Sequence, residues 1–391
     1  MTGRWQFFVP GRLEVFGKHT DYAGGRSLVA AVPRGLTVVA HATDEGMVVV
    51  EDAMVGQRAT FRTDGVGEAD GWRRYVTTVI GRLSRNFPGA NLSVQIDISN
   101  TLPRAAGISS SSALVIGVAE ALIARGKLEQ RAEWRETIRT PEDRAAYFGC
   151  IENGSAFGEL GGNDGVGTHG GSEDHAAILT SRAGWLQQFA FAPLRLERAI
   201  AMPAGWTFAI ATTGIRANKT GSARANYNHA ADAIGRIARA WRERYPNDGR
   251  SIGDLVREGA ALSQLRVSAD LRVRLEHFVA EDARVPLAAA AFDRADVEEV
   301  GRLADASQRD AERLLGNQVP ETSELVALAR EQGAAAASGF GAGWGGSVWA
   351  LVESTTAPTF LDRWLTAYRS RHPHLQSDGF VSPPSNGVQR F

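Results

Sequence analysis

The sequence predicts an α+β protein of two domains, a mixed α/β N-terminal domain and an α+β C-terminal domain. Three observations predict it. The chain has 391 residues, more than one core usually organises. Strand-like and helix-like segments are interleaved through its first half. A largely helical block follows over residues 226–315, and a strand-like run, SVWALV, returns after it.

Each element has a local reason. The stretch LTVVAHATDEGMVVV reads as two β-branched runs around Asp-Glu-Gly and predicts a hairpin. Residues 72–85 place Trp72, Tyr75, Val76, Val79, Ile80 and Leu83 at helical spacing. NLSVQIDI alternates, with Leu92, Val94, Ile96 and Ile98 on one face of a strand. SNTLPRAAG is a loop leading into four serines and ALVIGVAEALIA, a run long enough for a buried helix. Residues 156–171 predict a long surface loop, with seven glycines between Gly158 and Gly171. Residues 176–215 read as strand-rich through AAILT, WLQQFAF and WTFAIAT. No Pro/Ser linker marks the domain change, which is expected at 1–190 and 191–391.

Composition narrows the function classes. The apolar fraction is 43%, the charged fraction 22% and the formal net charge −1, so no global field would recruit nucleic acid or an anionic membrane. The single cysteine, Cys150, cannot form an intramolecular disulfide and fits a reducing compartment. The N-terminal MTGRWQFFVPGRL has no apolar core long enough for a signal peptide, and no later stretch approaches a membrane span, so a cytoplasmic location is the expectation.

Four segments carry chemistry. GRLEVFGKHTDYAGG half-matches a phosphate loop of the Walker A type. Five residues separate Gly11 from Gly17, however, and His19 follows Lys18 where that loop needs Ser or Thr. LPRAAGISSSSA opens a polar loop directly onto a helix, whose free N–H groups and positive dipole end suit a phosphate. GFGAGWGG, with glycines that permit close backbone approach, is expected to support the same nucleotide site. GTHGGSEDHAAIL holds His169, Glu173, Asp174 and His175. It reads as an acid–base loop, with a metal site as the alternative.

These motifs resemble a known family. LPRAAGISSSSA resembles the P-x-x-x-G-L-S-S-S-A motif of the GHMP small-molecule kinases, and GFGAGWGGSVWALV resembles their G-A-G-x-G-G motif. GRLEVFGKHTDYAGG resembles the galactokinase signature G-R-V-N-x-I-G-E-H-T-D-Y-N-x-G. WRRYV, NYN at 226–228 and SPPSNGV resemble further family segments, so the likeness spans nearly the whole chain. It implies a two-domain GHMP kinase fold with the active site between the domains. It also implies an ATP-dependent kinase that phosphorylates the anomeric hydroxyl of galactose or a related monosaccharide by direct in-line transfer.

The resemblance assigns roles residue by residue. Asp174 matches the base that takes the proton from the anomeric hydroxyl, with His175 where the family has Gln; Arg12 matches the arginine beside it. A guanidinium there keeps the carboxylate ionised and stabilises charge on the transferred phosphoryl group. ATP would bind Pro103, Gly107, Ser109, Ser110, Ser111, Ser112 and Gly343, and Mg²⁺ would bind Ser111 and Glu152, with Ser110 or Ser112 as other registers. His19, Asp21 and Tyr227 would bond sugar hydroxyls. Lys18 stands where the family has Glu near C6, which points to a uronic acid (galacturonate or glucuronate) as the alternative substrate, with arabinose as a further alternative. The glycine-rich insertion is expected to act as a lid. The expected partners are a small sugar and ATP, with no nucleic acid or membrane, in a monomer or dimer. A non-catalytic sugar and ATP sensor is the competing class. Other GHMP branches, such as mevalonate or homoserine kinase, lack the HTDY segment.

Overall fold

Alternating apolar residues carry β1 (Arg4–Phe16) and β2 (Arg26–Ala42), which pair antiparallel along most of their length. The computed structural model describes residues 3–52, 56–103, 106–215 and 222–391. The chain continues through β3 (Met47–Asp52), β4 (Gln57–Arg62), α1 (Gly71–Asn86), β5 (Val94–Asn100), α2 (Ser110–Gly126), α3 (Ala132–Thr137), α4 (Pro141–Asn153) and α5 (Glu173–Thr180). Next come β6 (Trp185–Ala190), β7 (Arg195–Ala201), β8 (Trp206–Thr212), α6 (Ser222–Arg244), α7 (Ile252–Arg257), α8 (Ala269–Asp293) and α9 (Val297–Asp310). It ends with α10 (Pro320–Glu331), β9 (Ala336–Phe340), β10 (Ser347–Glu353), α11 (Ala357–Arg371), β11 (Gly379–Ser382) and β12 (Gln389–Arg390).

The strands form two sheets. The first runs β12-β1-β2-β5-β3-β4, with β6 on the other half of β2 and β7 beyond it. The second, of four strands, runs β11-β8-β10-β9 and is antiparallel throughout. The 190/191 division expected from the sequence falls between β6 and β7, which are hydrogen-bonded partners. The sheets part between Ala201 and Trp206, and β12 returns from the chain end to β1. The core runs on between the sheets, where Phe16 packs edge-on to Trp349 and Trp349 to Phe208. Among the described residues, no helix is long and apolar enough to cross a membrane.

Two local expectations are corrected. β2 and β3 are not hairpin partners: β5 lies between them, antiparallel to β2 and parallel to β3. Val94 and Ile96 of β5 give it an apolar face that pairs with both neighbours, so the Asp-Glu-Gly turn joins strands one apart. AAILT is not a strand but most of α5. Its Ala176, Ala177 and Ile178 are buried, and a short apolar run between sharp loops does not distinguish strand from helix by periodicity.

Candidate active site

Residues 12 and 14 share one face of β1, because side chains alternate along a strand. That face meets the first turn of α5, the start of α2 and the last turn of α4. Together they line a pocket with Arg12, Glu14, Ser112, Glu152, Glu173, Asp174 and His175. The turn after β1 adds His19 and Asp21, α6 adds Tyr227, and the loop after β9 adds Gly341 and Ala342.

Arg12 organises the pocket. Its Nε lies 2.8 Å from Asp174 Oδ1 and 3.4 Å from Glu173 Oε1, and its Nη1 donates to Gly107 O at 2.6 Å. Burial opposes its charge, but Asp174, Glu173 and Glu14 outweigh that and raise the guanidinium pKa. Asp174 also sits in the first turn of α5, where the helix dipole favours a negative charge. Ser112 Oγ faces two carboxylates, Glu152 Oε2 at 2.8 Å and Asp174 Oδ2 at 3.1 Å. His175 Nε2 approaches Glu152 Oε2 at 3.2 Å.

The serine motif does open α2. Ser109 holds φ 57 just before the helix, and its buried Oγ has no hydrogen-bond partner among the described residues. The first amides of α2 carry no intrahelical bond, which leaves Ser109–Ser112 presenting N–H groups and hydroxyls at the positive end. Pro103 and Gly107 flank this loop, and residues 104–105 of the motif lie outside the described residues. Ser112, not Ser111, is the serine paired with Glu152, because one helical step turns Ser111 off the face that meets α4. Ser110 and Ser111 are half-buried.

The glycine cluster after β9 meets the same loop. A Cβ on Gly341 would stand 2.6 Å from Gly107 O, and Ser347 Oγ donates to Ala106 O at 2.5 Å. Gly343, expected at the nucleotide, packs closely on Asn317, where a Cβ would crowd the Asn317 carbonyl oxygen. Gly341 is the glycine of the cluster that lines the pocket.

His19, Asp21 and Tyr227, expected at the sugar, all line the pocket. His19 has φ 57, and its Nε2–H donates to Ala342 O at 3.0 Å. The opposite nitrogen, Nδ1, then accepts from Tyr22 OH at 3.0 Å. Burial pushes the Tyr22 phenol up to about 12, so it keeps the proton it donates. Arg274 of α8 donates to both His19 O and Tyr22 OH at 2.7 Å. The Tyr227 ring lies 5.3 Å from that of His19. The glycine-rich insertion closes this side as a wall: a Cβ on Gly170 would press on Tyr227 OH, and one on Gly171 on Asp21 Oδ2. Asn153 Nδ2 holds Gly170 O at 2.9 Å.

Lys18 is the main correction. It is fully buried, does not line the pocket, and its Nζ donates to Ser307 Oγ of α9 at 2.8 Å. Glu281 of α8 accepts from Ser307 Oγ at 2.9 Å and from the backbone N–H groups of Gly17 and Lys18 at 3.0 and 3.3 Å. Burial works to raise the Glu281 pKa, but Lys18 and Arg284 bring it below the usual value. The lysine thus compensates a buried carboxylate and, among the described residues, lies behind the turn and away from the pocket lining. The metal alternative for the 167–179 segment also fails to assemble, because exposed His169 pairs with Asp232 at 2.7 Å while His175 turns inward to Glu152. Among the described residues, no group of three or more His, Cys, Asp and Glu could hold a metal ion.

Of the pocket carboxylates, Glu14 went unread in the sequence, and Glu173 was read only as one carboxylate of the acid–base loop. Burial pushes Glu14 up to about 7, against the pull of Arg12 and Lys18. Glu173, held by Ser27 Oγ at 2.5 Å, is raised well above the usual range by burial and then by Glu14. The signal for Glu14 was present: the galactokinase signature has Asn at that position.

Comparison with known proteins agrees with this geometry. Residues 2–42 match the galactokinase galactose-binding signature, residues 74–137 the GHMP kinases N terminal domain, and residues 288–370 the GHMP kinases C terminal description. A galactokinase of Roseiflexus sp. strain RS-1 is 27% identical over 385 residues, covering 98% of this chain and 92% of its own. One from Thermotoga petrophila is 24% identical over 391 residues, covering 98% of this chain and 99% of its own. The crystal structure of Lactococcus lactis galactokinase complexed with galactose superposes with TM-score 0.82 at 23% identity, covering 99% of this chain and 95% of that one. A mevalonate kinase structure shares the fold less closely, with TM-score 0.61 at 14% identity. With its motifs gathered around one pocket, the chain carries the GHMP kinase N- and C-terminal matches and the galactokinase galactose-binding signature, and it is similar to galactokinases along nearly its whole length.

Proposed function

We propose that this protein is an ATP-dependent sugar kinase that transfers the γ-phosphoryl group of ATP to the anomeric hydroxyl of galactose or a closely related neutral monosaccharide. The observation that carries the reading is the pairing of Asp174 with Arg12 at 2.8 Å, at the start of α5 and beside the serine loop. Asp174 accepts the proton of the attacking hydroxyl as its oxygen bonds to the γ-phosphorus and ADP departs. Arg12 keeps Asp174 ionised before the reaction and faces the charge that gathers on the phosphoryl oxygens. The N–H groups and hydroxyls of Ser109–Ser112 bind the phosphates, and His19, Asp21 and Tyr227 hold the sugar.

Ser112 and Glu152 offer a hydroxyl and a carboxylate oxygen 2.8 Å apart, a donor set that fits a hard divalent cation shared with phosphate oxygens. They are the residues that would hold Mg²⁺, which when bound supplies neutralising charge to the phosphates. The uronic-acid alternative loses its support, because Lys18 faces away and five carboxylates line the pocket against one arginine, Arg12, among the described residues. A coupled ADP-release assay over neutral hexoses, pentoses and uronic acids tests the reading. Sugar-dependent ADP release that vanishes in Asp174→Asn supports it; ADP release by no sugar contradicts it.

A further inference from the structure

Glu14 is an acceptor built into the pocket, and half of its carboxylate has no donor among the described residues. It is 3% exposed, and Oε2 is fixed by the Gly341 N–H at 2.7 Å. Oε1 is buried and has no hydrogen-bond partner among the described residues. A buried acceptor in this state is costly unless a ligand donates to it. The neighbouring acids are already engaged: Glu173 by Ser27, Asp174 by Arg12 and Ser112, Glu152 by Ser112 and His175, and Asp21 by the Glu173 N–H.

The motif itself has been rewritten at two places. Where the galactokinase signature carries Asn and then Glu, this chain carries Glu14 and Lys18. The lysine is withdrawn behind the turn to Ser307, and the carboxylate stands on β1, beside Arg12 and inside the pocket. The Gly341 N–H fixes the carboxylate plane, so Oε1 has little freedom to find another partner.

We propose that Glu14 is a specificity-determining residue, accepting a hydrogen bond from one hydroxyl of a neutral sugar and disfavouring a substrate with a carboxylate at that place. This rests on the sugar-kinase reading above and names the substrate class of that site. A hydroxyl satisfies Oε1 whether Glu14 is ionised or protonated, since it can donate or accept. A uronate carboxylate can only accept, and beside ionised Glu14 it is repelled.

The test is a deoxy-sugar cycle at pH 8, read as kcat/KM from ADP release. Wild type and Glu14→Gln are compared on the best neutral hexose, on its four singly deoxygenated analogues at C2, C3, C4 and C6, and on the matching uronate. Glu14→Gln is expected to lose about 10- to 100-fold on the hexose, with KM for ATP unchanged. One analogue is expected to be poorer for wild type by a similar factor and to show no further loss in Glu14→Gln, because the hydroxyl that Glu14 binds is already gone. The uronate is expected to be the poorest substrate of wild type and to gain relative to the hexose in Glu14→Gln. An equal loss in Glu14→Gln across all analogues, or a wild type that prefers the uronate, overturns the proposal while leaving the kinase reading standing. If no sugar releases ADP with wild type, the kinase reading falls and the proposal with it. Should Glu14→Gln fail to fold, Glu14→Asn, which restores the signature residue, takes its place in the cycle. The wild-type ranking of hexose against uronate decides independently of either variant.

Discussion

Arg12 Nη1 donates to Gly107 O at 2.6 Å, so one side chain ties the loop before α2 to the strand that faces Asp174. The same guanidinium reaches Asp174 through Nε, which couples the loop before α2 and the proposed catalytic carboxylate through a single planar group. A lysine cannot make both contacts from one point charge. Arg12→Lys is therefore expected to lower kcat by on the order of 100-fold. Steady-state kinetics check this, and a loss under threefold contradicts the coupling.

The pairing of Ser112 with Glu152 separates two neighbouring serines. Ser112→Ala is expected to raise the Mg²⁺ concentration for half-maximal activity by on the order of 10-fold. Ser111→Ala, off the α4-facing side, is expected to change it by less than about threefold. Mg²⁺ titrations of the two variants decide between the registers, and the reverse order assigns the cation to Ser111.

Lys18 is expected to matter for stability and not for choice of sugar. Removing its charge leaves Glu281 buried with weaker compensation, so Lys18→Met is expected to cost about 3 kcal/mol by urea denaturation, as in other broken buried pairs. The ratio of hexose to uronate turnover is expected to stay the same. A changed ratio with unaltered stability returns Lys18 to the substrate.

Arg274 holds the His19 turn from behind. It bonds His19 O and Tyr22 OH, and His19 has a left-handed φ of 57 that must be held by its surroundings. Arg274→Met is expected to raise KM for the sugar about 10-fold, with kcat less affected and KM for ATP unchanged. Equal effects on both substrates point to general loss of structure.

Glu14 makes stability depend on pH in a defined direction. Its folded pKa, raised by burial, is about 7 against an ordinary 4.5, so between these values the folded state holds a proton that the unfolded chain has released. The stability it contributes is complete below 4.5 and is lost as pH rises through 7. Arg12, Lys18 and Gly341 N–H oppose that shift, and Glu281 and Glu173 reinforce it or share it. Between pH 5 and pH 8 the urea midpoint of wild type is expected to fall further than that of Glu14→Gln. Parallel changes in the two proteins contradict this assignment.

Much of this was legible in the sequence where the chemistry is local. The periodicity of residues 72–85 gave α1, and serines ahead of a long apolar run gave the start of α2. Arg12, His19, Asp21, Asp174 and Tyr227 were found through motif resemblance, and the fold gathers them in one pocket. What was not legible depends on partners distant in the chain. Lys18 faces Ser307 because α8 and α9 lie behind its turn, which no local pattern encodes. The predicted β2–β3 hairpin failed because β5 inserts between them from about fifty residues on. The Ser111/Ser112 register is a matter of helical phase relative to α4, and the packing of Gly343 on Asn317 depends on a partner outside its own motif.

The most direct test of the account is sugar-dependent ADP release by Asp174→Asn, alongside its binding of sugar and ATP. With the proton acceptor removed and the shape kept, kcat is expected to fall by about 100-fold or more while both ligands still bind. Turnover in Asp174→Asn within a few-fold of wild type would contradict the assignment of Asp174 as the base.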